Sequence, residues 1–257
     1  MNILSLTKPL LLATLLQLGS TFARGESVDE LMSKGDVFDK RLQAASALKC
    51  YLPAEKLDPK NEQLLLRIAR QYRHLMADAT GQEEKLRLGN IALDYAQRAE
   101  ALAPNDCESH LSVAITYGKM LPIFGTRQQV ETSPKIKSEV DEAIRLNPRN
   151  DLAWHILGRW HRILADVSGL KRTLAPILYG RLPKGSNEEA AKCLEKAIEL
   201  NPSRLMHYIE LGRVYAQQGR NAEARRMIEK GLSMPSTEKD DPDAKARGRE
   251  VLEKLRS

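Results

Sequence analysis

The side chains of this chain with an evident chemical capacity are cationic. Arg70, Arg73, Arg159, Arg162 and Arg213, together with His74, Lys119 and His155, lie in segments of helical periodicity. A guanidinium holds a carboxylate through two parallel hydrogen bonds at fixed geometry, so the chemistry on offer is capture of an acidic peptide or a peptide's carboxyl terminus. Catalysis is not indicated. The sequence has no G-x-S-x-G, P-loop, G-x-G-x-x-G or Cys-His signature, and its carboxylates are scattered over exposed helix faces. Among His74, His110, His155, His161 and His207 no two stand at the i, i+4 spacing that aims both at one metal, and no cofactor is implied. The formal charge of +6 is only mildly basic. Without a dense Lys/Arg run interleaved with aromatics, nucleic acid is an unfavourable partner.

The elements that must carry these cations repeat. Ala-x-x-Leu-x-Pro occurs at Ala54/Leu57/Pro59, Ala99/Leu102/Pro104, Ala143/Leu146/Pro148 and Ala197/Leu200/Pro202. A small packing residue, a Leu expected to be buried and a Pro that cannot continue the helix mark the end of one half of a helical hairpin. Trp154, Leu157, Gly158 and His161, followed by Ala190, Leu194, Ala197 and Pro202, resemble the pattern of a tetratricopeptide repeat (TPR), with His161 in the place of a Tyr. A first unit reads Leu31, Gly35, Phe38, Ala47, Tyr51, Ala54 and Pro59; a second reads Leu65, Ile68, Ala69, Tyr72, then Ala92, Ala96, Ala99 and Pro104. A third reads Val113, Ala114, Tyr117, then Val140, Ala143 and Pro148. A fifth reads Tyr208, Leu211, Gly212, Tyr215, Ala224 and Ile228, with Gly219 at its turn, and then departs from the pattern at Gly231 and Ser236.

The resemblance implies which residues share a concave groove. TPR hairpins point the second, fifth, ninth, twelfth and thirteenth residues of each first helix into it. The ninth place carries Asp36, Arg70, Ile115, Arg159 and Arg213, and neighbouring places add Arg73, His74, Lys119, His155 and Arg162. The matching places hold no Asn, unlike the grooves that clamp a terminal carboxylate with Lys, Arg and Asn.

Pro-to-Pro separations of 45, 44 and 54 residues exceed the basic period, so units two, three and four carry insertions, expected in loops between their helices. The third, roughly Ser168 to Ser186, has Lys171, Arg172, Arg181 and Lys184 and no acid. Its Leu170, Leu174, Ile177 and Leu178 read as a short amphipathic helix that packs on a neighbouring repeat, with a membrane-surface or partner-docking role, including self-association into a homo-oligomer, as the alternative. Period-two apolar alternation is absent. The expectation is an all-α protein: a TPR-like right-handed helical solenoid of about five helix-turn-helix units, closed by a capping helix carrying Ala244, Gly248, Val251, Leu252 and Leu255.

Residues 1–23 hold one charge, Lys8, then an apolar run from Pro9 to Leu18 and the small residues of Gly19 to Ala23. This reads as a cleavable secretory signal, which puts the protein in a secreted or periplasmic location and leaves residues 24–257 as one solenoid domain. Pro9 to Ala23 spans only about 22 Å as a helix, short of the roughly 30 Å hydrocarbon core, so no stable membrane span is expected. Cys50, Cys107 and Cys193 are odd in number and lie in helical segments, which predicts three free core thiols.

Four segments give a narrower resemblance: Leu64 to Arg70, Asn150 to Trp160, Leu178 to Pro183 and Thr237 to Asp241. Over about residues 28 to 256 they resemble the regulator of microtubule dynamics family. That resemblance implies a non-enzymatic protein-interaction role and, as an alternative to export, a mitochondrial or cytoplasmic, microtubule-associated location.

Overall fold

The structure is a computed structural model, and it describes residues 26–166 and 183–256. Eleven α-helices follow one another among these residues. They are α1 (Val28–Asp39), α2 (Ala44–Leu57), α3 (Glu62–Asp78), α4 (Gln82–Leu102), α5 (Cys107–Met120), α6 (Thr126–Leu146), α7 (Asp151–Ala165), α8 (Asn187–Leu200), α9 (Leu205–Gln217), α10 (Asn221–Ser233) and α11 (Asp241–Lys254). Consecutive helices pair as α1/α2, α3/α4, α5/α6, α7/α8 and α9/α10, each pair stacks on the next, and α11 covers α9 and α10. These are the five hairpins and the closing helix that the repeat spacing predicts.

The Ala-x-x-Leu-x-Pro motif ends helices by one mechanism four times over. α2, α4, α6 and α8 each stop at the Leu, and the next backbone N–H bonds the carbonyl of the motif's Ala. All four Ala residues are fully buried. None of the four Leu is buried: Leu57 and Leu102 are exposed and Leu146 and Leu200 are half-buried, because the last residue of the helix lies at the rim of the stack. Two residues beyond the Pro, Asn61, Asp106 and Asn150 cap the next helix through their side chains, satisfying an N–H that the first turn leaves open.

Glycine marks the closest crossings. A Cβ on Gly158 would lie 2.7 Å from Leu194 Cγ, and one on Gly212 would lie 2.5 Å from Ile228 Cγ1 and 2.9 Å from the Ala224 carbonyl. Gly219 adopts φ +75° in the α9–α10 turn, the left-handed region that glycine enters without a steric penalty.

The extra length in units two and three is helical, not loop. α3 runs on to Asp78, only residues 79–81 separate it from α4, and α6 is 21 residues long. The additional turns hold because they bury one another: Met76, Leu88, Met120 and Phe124 form their own apolar cluster. The main core runs through units two to four, with Ala69, Ala96, Val113, Tyr117, Val140, Leu157 and Trp160 among its buried members. Cys107 and Cys193 are buried free thiols, whereas Cys50 is only half-buried. The targeting segment and the amphipathic reading of residues 168–182 lie outside the described residues. No described helix is long and apolar enough to cross a membrane.

Candidate functional site

First helices of successive hairpins line one side of the stack. α3, α5, α7 and α9, with the segment entering α11, enclose a cavity of about 430 Å³ bordered by Arg73, His74, Lys119, His155, Arg159, Glu210, Asp240 and Arg247. Helical periodicity brings these residues to one face, and the N-caps fix the rotation at which α3, α5 and α7 begin.

Three guanidinium groups at this cavity have no ion-pair partner among the described residues: Arg73, Arg159 and Arg247. Arg73 is 7% exposed and is held by neutral acceptors, donating to Ser112 Oγ at 2.8 Å, Thr116 Oγ1 at 3.2 Å and the Ser112 carbonyl at 3.5 Å. Burial, with Arg70 nearby, pulls its pKa down to about 10, so it remains a cation at neutral pH. Arg247 keeps a buried Nε without a hydrogen-bond partner, and burial, with Arg159 close by, lowers its pKa as well. Burial and the Arg73 charge push His74 down to about 4. Its imidazole is therefore neutral, and its Nδ1 is buried without a partner. Arg73 is buried and Arg159 and Arg247 are half-buried, with Asp240, Glu210 and Asp243 acting on them only at a distance. A cation withdrawn from water without a carboxylate in contact is costly, and a carboxylate arriving from outside relieves part of that cost.

The other predicted groove residues are committed within the fold. Arg162 Nε lies 2.5 Å from Glu210 Oε1, and Arg213 Nη1 lies 2.8 Å from Glu210 Oε2. One buried carboxylate from α9 thus holds two of the three arginines expected toward the C-terminal end of the groove, and neither borders the cavity. Arg70 is ion-paired with Asp39. His155 is buried, with Nδ1 3.0 Å from His207 Nδ1, and His207 Nε2 is 2.9 Å from Asp151 Oδ2. Burial drives the His155 pKa well below its ordinary value, so this imidazole is a neutral link in an internal chain. Lys119 contacts both oxygens of Asp240 at 2.6 Å. Of the eight predicted residues, Arg73, His74 and Arg159 thus face the cavity without a carboxylate of their own.

Sequence reasoning missed Arg247 and the acids Glu238 and Asp240 that border the same cavity, because the loss of the repeat pattern after α10 hides where α11 lies. The signal available was the charged cluster Thr237 to Asp241. It also missed a junction of three helices. His110 Nδ1 lies 2.7 Å from Glu139 Oε2 and 3.4 Å from Glu100 Oε1, while Nε2 lies 2.8 Å from the Pro104 carbonyl. No i, i+4 rule reveals that junction, since α4, α5 and α6 each supply one residue.

The family model described as Regulator of microtubule dynamics protein 1-3 matches residues 26–256. The chain is similar to regulator of microtubule dynamics protein 2 of Mus musculus, at 27% identity over 79% of this chain and 49% of that protein. It is also similar to regulator of microtubule dynamics protein 1 of the same organism, at 26% identity over 88% of this chain and 74% of that protein. The chain thus spans about half the length of the first of these relatives. Among solved structures it resembles a thermophilic TPR protein of Thermus thermophilus. There the TM-score is 0.64, at 18% identity over 88% of this chain and 99% of that one, which establishes the TPR fold.

Proposed function

We propose a specific task for this chain, which belongs to the regulator of microtubule dynamics protein 1-3 family: it is a non-catalytic adaptor that captures an acidic peptide segment or a peptide's carboxyl terminus in the groove of its first helices. One observation carries the reading. Arg73, Arg159 and Arg247 border a single cavity, and none has a carboxylate partner among the described residues.

The test follows from that same freedom. Reversing Arg159 and Arg247 to Glu breaks no ion pair among the described residues, so binding is separable from folding. With a labelled hexaglutamate peptide as probe, R159E/R247E loses at least about tenfold in affinity while its circular dichroism under the assay conditions stays that of a folded helical chain. Equal affinity overturns the reading. Arg213 is unsuited to this test because it is bonded to Glu210.

Family membership favours a microtubule-associated or mitochondrial setting, in which acidic tubulin tails suit such a groove. Co-sedimentation with microtubules before and after proteolytic removal of those tails tests it. The alternative setting follows from residues 1–23 as a cleaved export signal, which makes residues 24–257 a secreted or periplasmic adaptor for an acidic peptide of an exported partner. N-terminal sequencing of the native protein separates the two: a chain beginning near Arg24 in the exported fraction sets microtubules aside.

A further inference from the structure

The groove already holds acidic side chains, and they come from this chain. After α10, residues 234–240 lead into α11, and two of them, Glu238 and Asp240, border the cavity. Glu238 Oε1 sits 2.7 Å from Arg204 Nε at the start of α9, Asp240 meets Lys119 of α5 at 2.6 Å, and Lys239 Nζ reaches Asp78 Oδ1 of α3 at 2.5 Å. A short strap therefore ties the fifth hairpin to the second and third. Asp240 thus meets a groove cation, Lys119, as a carboxylate of an acidic ligand would, while Glu238 shares Arg204 with Asp151.

Strap and helix are fastened by different forces. α11 is anchored by apolar burial, with Ala244 2% and Leu252 9% exposed, against Leu205, Ile209 and Ile228. From Leu232 to Asp240 no residue is buried, and the strap's links to α3, α5 and α9 are partly exposed ion pairs, each of modest strength and screened by salt. Its shape is set locally, because the buried Asp241 carboxylate accepts from the backbone N–H groups of Thr237 at 2.7 Å and Glu238 at 2.8 Å.

We propose that residues 235–240 are a resident competitor, an intramolecular acidic strap that occupies Lys119 at the cavity until an acidic partner displaces it. The inference rests on the groove reading above and adds its regulation: the free groove is self-masked, and a partner binds by exchange of carboxylates.

The test uses the full chain, the hexaglutamate peptide and two readouts. Hydrogen exchange at the amides of Thr237 and Glu238 speeds up when the peptide saturates the groove, because displacing the strap pulls these amides from Asp241. E238Q/D240N, which frees Lys119 while Arg204 keeps its pair with Asp151, binds the peptide about tenfold more tightly. Neutralising two carboxylates also favours an acidic probe by charge alone, so the exchange readout carries the decision. Unchanged or slowed exchange at both amides with the peptide bound overturns the strap, because the peptide then sits beside it. If R159E/R247E loses the peptide in that case, the groove reading stands without the strap. If no form binds the peptide, or all bind equally, the groove reading fails and the strap's regulatory role fails with it.

Discussion

Glu210 offers the sharpest test of how this solenoid is held together. Its side chain is 4% exposed, and it bonds Arg162, itself 8% exposed, at 2.5 Å and Arg213 at 2.8 Å. The pair joins α9 to α7, so it couples the fifth hairpin to the fourth. Burial raises a carboxyl pKa, but here Arg162, Arg213 and Arg159 overcome that effect and hold Glu210 far below the usual carboxylate range. Replacing it by Gln keeps the volume and removes the charge, leaving the Arg162 guanidinium buried without a counter-ion. Removing one partner of a buried pair costs about 3–5 kcal/mol, and Arg213, 20% exposed, adds little because water reaches it. Glu210→Gln should therefore lower unfolding stability by about 3–5 kcal/mol, measured by urea titration followed by circular dichroism. The companion double variant Arg162→Met/Glu210→Leu replaces the pair by apolar side chains and should recover much of that loss. A loss below about 1 kcal/mol for Glu210→Gln, within the range of a surface pair, refutes the claim that this carboxylate locks the two hairpins.

Two further expectations follow from packing and from protonation. Gly212→Ala pushes a Cβ to within 2.5 Å of Ile228 Cγ1 and 2.9 Å of a backbone carbonyl, and should cost about 1–3 kcal/mol; Gly118→Ala, where no atom lies within 4 Å, should stabilise α5 by about 0.5–1 kcal/mol. Paired urea titrations check the opposite signs, and a shared sign sinks the close-crossing account. Burial lowers the pKa of His74, His155, His161 and His207, so below pH 6.5 the unfolded chain takes up protons that the folded chain refuses, and stability falls with acidification. For His110 burial is outweighed by Glu139, the Pro104 carbonyl and Glu100, which raise its pKa. Its contribution is complete below pH 6.5 and is lost as pH rises through the raised value. Urea midpoints should peak near pH 6.5, and His110→Gln should flatten the alkaline side; an unchanged alkaline slope in that variant refutes the assignment.

The helical hairpins were legible because their signal is local and repeated. Ala54, Ala99, Ala143 and Ala197 announce where a helix must end and pack, and the structure buries all four. The cationic residues were legible as types, and Arg73 and Arg159 do border one cavity. Their partners were not. That Arg162 and Arg213 share Glu210, and that Lys119 meets Asp240 across 121 residues of chain, depends on how hairpins stack and where α11 lies, which no window of sequence contains. The insertions show the same division. The excess length of units two and three is plain in the spacing of their prolines, but Met76, Leu88 and Met120 of three different helices and Phe124 of the turn after α5 come together only in the folded stack. By itself the sequence determined the repeat, its boundaries and a surplus of arginine on first helices, because helix ends and periodicity are set by near neighbours. Only the tertiary structure decided which arginines are neutralised and which stand free, because a charge is paired or unpaired according to what distant parts of the chain bring within reach.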